Sequence, residues 1–261
     1  MEIKIMTFNV LNGWNTTNIG ERDDLAASAV FEKRPDVIGF QEFDDCYRLT
    51  ENSLPMLVSE HYEEAGESRT TWNPIFYNKE RFRLIDCGEI PFEKGTVYEY
   101  PRGGFSGFRT ISYALLEEKK SQERLLVFNL HYDMNKNWQI TIGNQAHESK
   151  QVVELANNLL DKYETGALFV TGDYNSLVDG IPCVEMLKNG FIDTRDIALE
   201  KDDIGTCAKL GDSLGGDYKS AAIDHVFFKG NKELRVIKYE TVDSIRDASD
   251  HAPVVVTVEI N

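Results

Sequence analysis

The sequence predicts an α/β (α+β) fold, and three observations predict it. The chain opens strand–helix–strand: an alternating run at 2–8, a helical pattern at 22–34 and a buried-strand run at 37–41. Further strand-like runs and helical patterns then follow one another up to a closing strand at 254–260. Its 261 residues contain no internal repeat, low-complexity tract or linker. A single domain covering 1–261 is therefore expected, since about 200–250 residues in one domain is common.

In the first run Ile3, Ile5 and Thr7 fall on one side and Lys4, Met6 and Phe8 on the other, the period-2 mark of a strand. It ends at Asn9, and Asn12-Gly13 follows as a turn signal. Residues 22–34 carry acids in the first turn and bases in the last, which complements a helix dipole. After Pro35 comes Val37-Ile-Gly-Phe-Gln41, ending at Glu42. A strand–helix–strand unit implies a parallel crossover. Parallel strands end at the same sheet edge, so Asn9 and Glu42 are expected to be neighbours.

Residues 44–60 read as helical with an interruption near Pro55, and strand-like runs follow at 74–78, 82–90, 108–117 and 124–130. Between them, 94–107 is rich in Gly and Tyr and reads as a long loop, a kind often functional in compact domains. Val152, Val153, Leu155, Ala156, Leu159 and Leu160 make 146–163 an amphipathic helix. Leu168-Phe-Val-Thr reads as a buried strand that Gly172 ends in a tight turn. A short helix at 180–189 and a polar, Gly-rich loop at 193–220 follow. Ile223-Asp224-His225 opens another strand, one more lies near 233–240, and Ser249-Asp250-His251-Ala-Pro253 leads into the last.

Composition narrows the class. A hydrophobic fraction of 41% and a charged fraction of 28% are those of a soluble globular protein. No apolar run approaches the roughly 18 residues of a membrane span. The N-terminus enters a strand at once, so a cytoplasmic protein is expected, or an exported one if a signal peptide has been trimmed. Cys46, Cys87, Cys183 and Cys207 form no Cys-x-x-Cys pair, which points to reduced thiols rather than a zinc or disulfide framework. The formal charge of −16, with no Lys/Arg run longer than two, disfavours broad electrostatic capture of nucleic acid.

The chemistry is announced at Gly172-Asp173-Tyr-Asn175. In an extended backbone, side chains at i and i+2 share a side. A carboxylate beside a neutral amide suits water activation, one group taking a proton while the other holds an oxygen. The alternative is an Asp/Asn turn capping local backbone. Recurrence decides between them. Asn9, Glu42, His131 and Asp173/Asn175 each end an apolar strand, while Asp224 and Asp250/His251 each precede one. In a mixed or antiparallel sheet such ends and starts lie on one rim. That rim would gather carboxylates, amides and two histidines.

The ordered set Thr-Phe-Asn9, Gln-Glu42, His131-x-Asp133, Gly-Asp173-x-Asn175, Ile-Asp224-His and Ser-Asp250-His251 resembles the endonuclease/exonuclease/phosphatase (DNase I-like) superfamily, over residues 3 to 258. The segments Asn73-Pro-Ile-Phe-Tyr77 and Phe108-Arg109-Thr fit bacterial members. The resemblance implies a four-layer α/β/β/α sandwich, two packed mixed β-sheets with helices outside, and an active site at one end. One departure stands out. Some nucleases of the family carry an acid just before the strand holding Ile75-Phe-Tyr77, where it supports the counterpart of His131; here that stretch is Thr70-Thr-Trp-Asn73.

By that resemblance Glu42 is expected as the main ligand of Mg²⁺ (or Mn²⁺), which is usually held by one or two carboxylates plus waters and substrate oxygens. Asn9 and Asp250 complete or steady that site. Asp173 orients or deprotonates the attacking water, and Asn175 holds the water or a phosphoryl oxygen. His251 meets charge on the transition state, Asp224 orients His251, and His131 contacts the phosphate from the other side. Arg109 is a candidate clamp on a nonbridging oxygen. Three roles stay open for Asp133: orienting His131, binding metal, or capping the following loop.

The expected activity is metal-dependent hydrolysis of a phosphodiester, by a monomer whose partner is a phosphoester substrate, with nucleic acid among the candidates. Trp72, Tyr98 and Phe105 are candidate platforms for a base or organic group. Phosphomonoester hydrolysis would need a basic pocket, and the 94–107 and 193–220 loops are poor in Lys and Arg. Sphingomyelin-type cleavage would need an apolar hairpin, of which Val97, Tyr98, Tyr100 and Phe105 offer a weak version. The non-enzyme alternative is a binding protein on the same fold, disfavoured by the intact polar set.

Overall fold

The computed structural model describes residues 1–13, 18–44, 47, 54–66, 72–94, 109–135, 137–207, 221–245 and 247–261. In chain order the elements are β1 Glu2–Asn9, α1 Ile19–Lys33, β2 Val37–Gln41, α2 Leu54–Val58, β3 Tyr62–Glu64, β4 Ile75–Asn78, β5 Phe82–Pro91, β6 Thr110–Glu118 and β7 Arg124–His131. There follow α3 Trp138–Tyr163, β8 Ala167–Asp173, α4 Ile181–Lys188, β9 Ile192–Asp193, α5 Thr194–Ile197, β10 Glu200–Lys201, β11 Asp224–Gly230, β12 Leu234–Thr241 and β13 Val254–Ile260.

Two sheets form, ordered β10-β12-β13-β1-β2-β4-β3 and β5-β6-β7-β8-β11-β9. Both are mixed: β1/β2 and β7/β8 pair parallel, while β1/β13 and β8/β11 pair antiparallel. Period-2 alternation sorts the side chains into three cores. Ile3, Ile5, Val37, Val127, Phe169, Val226 and Val256 meet between the sheets. Met6, Phe8, Ile38 and Phe40 turn outward against Ala26, Ala29 and Val30 of α1. Leu126, Phe128, Leu168 and Val170 face Val152, Ala156 and Leu159 of α3. Three cores separate four layers, helix–sheet–sheet–helix, as the resemblance implied. Among the described residues no helix is long and apolar enough to cross a membrane, and Cys87, Cys183 and Cys207 are in no disulfide.

Several expectations are corrected. Helix α3 begins at Trp138, well before 146, because Asn137 caps it by accepting the Gln139 N–H at 3.1 Å. Its first turns expose Trp138 and Ile140, so no apolar stripe marks them. The 193–220 stretch is not loop throughout: Asp193 caps α5 through the Arg195 N–H at 2.9 Å, and two-residue strands flank that helix. Strands that short carry no periodicity to read. In the 44–60 stretch only Tyr47 and α2 are described as helical, with Pro55 in the first turn of α2, where proline is tolerated. Strand β3 was not expected. Gly172 does not end its strand; β8 continues to Asp173, and a Cβ at 172 would meet the Leu130 carbonyl oxygen at 2.5 Å. Glycine is needed there for the close approach of β7. Residues 95–107 with Val97, Tyr98, Tyr100 and Phe105, and also Cys46, Thr70, Thr71, Phe108 and 208–220, lie outside the described residues.

Toward one end the face between the sheets changes from apolar to polar. Along it run Ile5, Thr7 and Asn9 in β1, then Val127, Asn129 and His131 in β7, and Phe169, Thr171 and Asp173 in β8. The middle members knit the sheets together. Gln41 Nε2 donates to Thr7 Oγ1 at 2.9 Å and to Asn129 Oδ1 at 2.6 Å, and Asn129 Nδ2 donates to the Phe40 carbonyl at 2.6 Å. Gly39 makes room: a Cβ there would lie 2.2 Å from Thr171 Oγ1 and 2.5 Å from Asn129 Oδ1. Beyond this polar layer come the ionisable side chains.

Candidate active site

Strand register assembles the first of them. His131 pairs with Asp173 across the parallel β7/β8 ladder, and Asp173 with Asp224 across the antiparallel β8/β11 ladder. The opposite sheet supplies Asn9. Asp173 Oδ2 is the meeting point: Asn9 Nδ2 lies at 3.0 Å, His131 Nε2 at 3.2 Å and His251 Nε2 at 3.7 Å. Burial opposes ionisation of this carboxyl, but the charges of His131 and His251 outweigh it and hold Asp173 well below the usual carboxylate range.

The other oxygen of Asp173, Oδ1, accepts the Asn175 N–H at 2.8 Å. The carboxylate thus closes an Asx turn, the local-backbone reading of this motif, while its Oδ2 stays turned toward Asn9 and His131. Asn175 departs from the i, i+2 expectation. At φ 46 its backbone leaves the extended path, and its Nδ2 donates to the Tyr132 carbonyl at 3.0 Å.

His251 arrives from the irregular approach to β13. Ser249 Oγ accepts the His251 N–H at 3.1 Å and donates to the Asn9 carbonyl at 2.6 Å, while the Ala252 N–H bonds the Thr206 carbonyl at 2.7 Å. His251 Nδ1 lies 2.8 Å from Asp224 Oδ2. Burial works against a charged imidazole, yet Asp224 and Asp173 together keep the His251 pKa well above the ordinary histidine value.

Glu42 is re-aimed by a single backbone torsion. Regular alternation would send it toward α1, opposite to Gln41; at φ 57 the chain turns left-handed there. Its Oε2 accepts from the Asn12 N–H at 3.0 Å and from Asn12 Nδ2 at 2.5 Å, and its Oε1 lies 3.4 Å from Asn9 Nδ2. Asn9 and Glu42 are neighbours, as the crossover predicted. Burial again opposes ionisation of Glu42, and the His131 charge with the Asn12 bonds overcomes it. Asp250 behaves oppositely: burial, then the nearby Glu42 and Asp173 charges, push its carboxyl upward.

That like-charge strain is what a cation would relieve. Glu42, Asp250 and Asp173 are hard oxygen donors, the type that suits Mg²⁺ or Mn²⁺. Asn9, with its Oδ1 on the Leu11 N–H at 3.0 Å, spaces two of these carboxylates. Asp173, Asp224 and His251 also place one ligand atom each within 4.8 Å of one another. In that set His251 Nδ1 is engaged by Asp224 Oδ2 at 2.8 Å, which leaves Nε2 as the other ring nitrogen.

Asp133 and Arg109 bond to helix α3 and to the Tyr132 carbonyl, respectively. Asp133 is gripped by α3 at three points: Oδ2 by Asn144 Nδ2 at 2.8 Å, its carbonyl by Gln145 Nε2 at 2.9 Å, and its N–H by Glu148 Oε2 at 3.0 Å. Of its three open roles, anchoring the following loop matches these contacts. Arg109 is buried and donates through Nη1 to the Tyr132 carbonyl, with its charge acting on Glu148. Burial raises Glu148 to about 8 despite the Asp133 N–H and Arg109. Asn12, Gln41, Asn129, Gln145 and Glu148 escaped sequence reasoning. Polar residues one and two turns ahead of Val152, on the same helix face, were the available signal for the last two.

The profile of the Endonuclease/Exonuclease/phosphatase family matches residues 6–251. A protein of Acanthamoeba polyphaga mimivirus is 23% identical over 98% of this chain and 100% of its own length. The fold superposes on an endonuclease/exonuclease/phosphatase family protein from Bacteroides thetaiotaomicron with a TM-score of 0.78 and 20% identity, covering 99% of this chain and 98% of that one. It superposes on the mannosyl-6-phosphatase of the same organism with a TM-score of 0.76 and 21% identity, covering 99% of each.

Proposed function

The chain belongs to the endonuclease/exonuclease/phosphatase family, whose members are phosphoester hydrolases, and on that premise we propose that it cleaves a phosphodiester by direct attack of water, with Mg²⁺ or Mn²⁺ as cofactor. The observation that carries this reading is Asp173 Oδ2, held within 3.0 to 3.7 Å of Asn9, His131 and His251. A carboxylate between two imidazoles is built to take a proton beside a group that carries negative charge.

His251, braced by Asp224, would give positive charge and a hydrogen bond to a phosphoryl oxygen; His131 would meet the phosphate from the other side. Asp173 orients the water and accepts its proton. Asn175 fixes the turn that presents Asp173 and holds the loop after His131. Arg109 supports the same loop from the Tyr132 carbonyl, which we propose in place of a phosphate clamp. Glu42 and Asp250 would hold the divalent ion, steadied by Asn9 and Asn12. When bound, that ion supplies Lewis-acid stabilisation of the charge developing on the phosphoryl oxygens.

A second reading is phosphomonoester hydrolysis, favoured by the likeness to a mannosyl-6-phosphatase. The deciding experiment compares turnover of a bis-aryl phosphodiester, single- and double-stranded DNA, RNA, a sugar 6-phosphate and inositol phosphates under Mg²⁺ and Mn²⁺. Diester turnover that requires the cation supports the proposal. Turnover confined to monoesters replaces it with the second reading, and none on any substrate favours a binding protein.

A further inference from the structure

One buried cation connects the segments that carry Glu42, Asn9 and Asp250, and no role above uses it. Arg22, on α1, is only 3% exposed. Its Nε donates to the Ala248 carbonyl at 2.7 Å, and its Nη2 donates to the carbonyls of Val10 and Leu11 and to the Tyr47 hydroxyl. That hydroxyl also donates to the Leu11 carbonyl at 2.7 Å, and the guanidinium carbon lies 5.7 Å from the Tyr47 ring centroid.

Each acceptor adjoins a group placed in the cation site. Val10 and Leu11 link Asn9 to Asn12, the two amides bonded to Glu42. Ala248 precedes Ser249 and Asp250. Tyr47 follows Glu42, and Asp44 between them takes the Gly13 N–H at 2.9 Å. Leu11 adopts φ 57 and Glu42 φ 57, left-handed conformations that need surrounding contacts to persist.

We propose that Arg22 is a positioning residue for the divalent-cation site, setting the spacing of Glu42, Asn9 and Asp250 by joining their three segments through one planar guanidinium. This inference rests on the reading that those residues hold a divalent cation. A lysine keeps the charge but is a point donor on a flexible stem and cannot reproduce the fork.

The test is direct Mn²⁺ titration, by calorimetry or electron paramagnetic resonance, of the wild type, Arg22→Lys, Tyr47→Phe and Glu42→Gln, each checked for folding by circular dichroism. Residues that orient metal ligands typically change affinity by about 10–100-fold. Folded Arg22→Lys is expected to bind Mn²⁺ roughly 10-fold more weakly, with the metal concentration for half-maximal activity raised more than the maximal rate is lowered. Tyr47→Phe, its ring still stacked on Phe43 at 5.2 Å between centroids, should shift the same way by less. Wild-type affinity in folded Arg22→Lys, alongside lost affinity in Glu42→Gln, overturns the Arg22 role and leaves the cation site standing. Wild-type affinity in Glu42→Gln overturns both. If Arg22→Lys does not fold, Tyr47→Phe decides by the same criterion.

Discussion

At the residue scale, Asp173 shows how one side chain serves structure and chemistry together. Oδ1 closes the turn to Asn175, and Oδ2 is left between two imidazoles. The electrostatic pull of its two imidazole neighbours outweighs burial and holds it low, which makes it a poor base in isolation. An incoming phosphate would share their charge and return basicity to Asp173 where water is placed. Asp173→Asn, which keeps the turn acceptor, should lower kcat by about 10²–10⁴-fold with KM little changed; an unaltered rate at saturating substrate would move the base elsewhere. Asp224 and His251 should act as a unit. Asp224→Asn is expected to be a milder version of His251→Ala, and the double mutant no worse than His251→Ala alone, since groups in one network do not add. Multiplicative losses in that cycle would break the pair. Asp224 also raises the His251 pKa, so Asp224→Asn should move the alkaline limb of the rate profile to lower pH.

At the scale of elements, α3 matters more than its amphipathic stripe suggests. Its apolar half packs on the sheet, while its first half grips the segment after His131 and reaches the Asn175 carbonyl through Gln145 Nε2 at 3.5 Å. Glu148 gives this grip a pH signature. Its carboxyl rises from 4.5 to about 8 on folding, so the native state holds the proton more tightly than the unfolded chain. The associated stability is full below about 4.5 and lost as pH rises through about 8. Glu148→Gln keeps an acceptor and removes the charge. The mutant should therefore resist urea better than wild type near pH 8, by an amount on the order of a few kcal/mol, with the gap closing toward pH 5. Parallel curves for the two proteins would assign the pH dependence to other groups. In strand β2 of the opposite sheet, Gly39→Ala would force a methyl onto Thr171 and Asn129. Overpacking of this kind costs about 1–3 kcal/mol, visible in the urea midpoint.

At the scale of the whole molecule, charge and architecture pull in different directions. Two packed sheets bring His131, Asp173, Asp224, Asn9 and Glu42 to one rim, while the chain carries a formal charge of −16. Long-range repulsion of a polyanion then has to be met locally, at a single phosphate. A diester is expected over a monoester and a short or flexible substrate over long duplex. Hydrolysis should decline only shallowly with added salt at constant Mg²⁺, because few phosphates are neutralised. A steep loss on duplex DNA, with no turnover of a small diester, would instead describe a DNase-like enzyme.

How far the sequence reached has a physical boundary. Alternation within β1 and the continuous apolar runs of β7 and β8 are properties of consecutive residues, so strand ends at Asn9, His131 and Asp173 were legible without coordinates, and their order carried the fold. The neighbourhood of Asn9 and Glu42 followed from parallel pairing alone. Other features depend on partners far away in the chain. The left-handed turn at Glu42, the rotation of Asn175 toward Tyr132, the use of Gly172 for close packing and the reach of Arg22 from Ala248 to Leu11 have no local pattern. Backbone periodicity is set by neighbours in sequence and could be read there. Single-residue torsions and hydrogen bonds between segments are set by neighbours in space, and only the tertiary structure decided them.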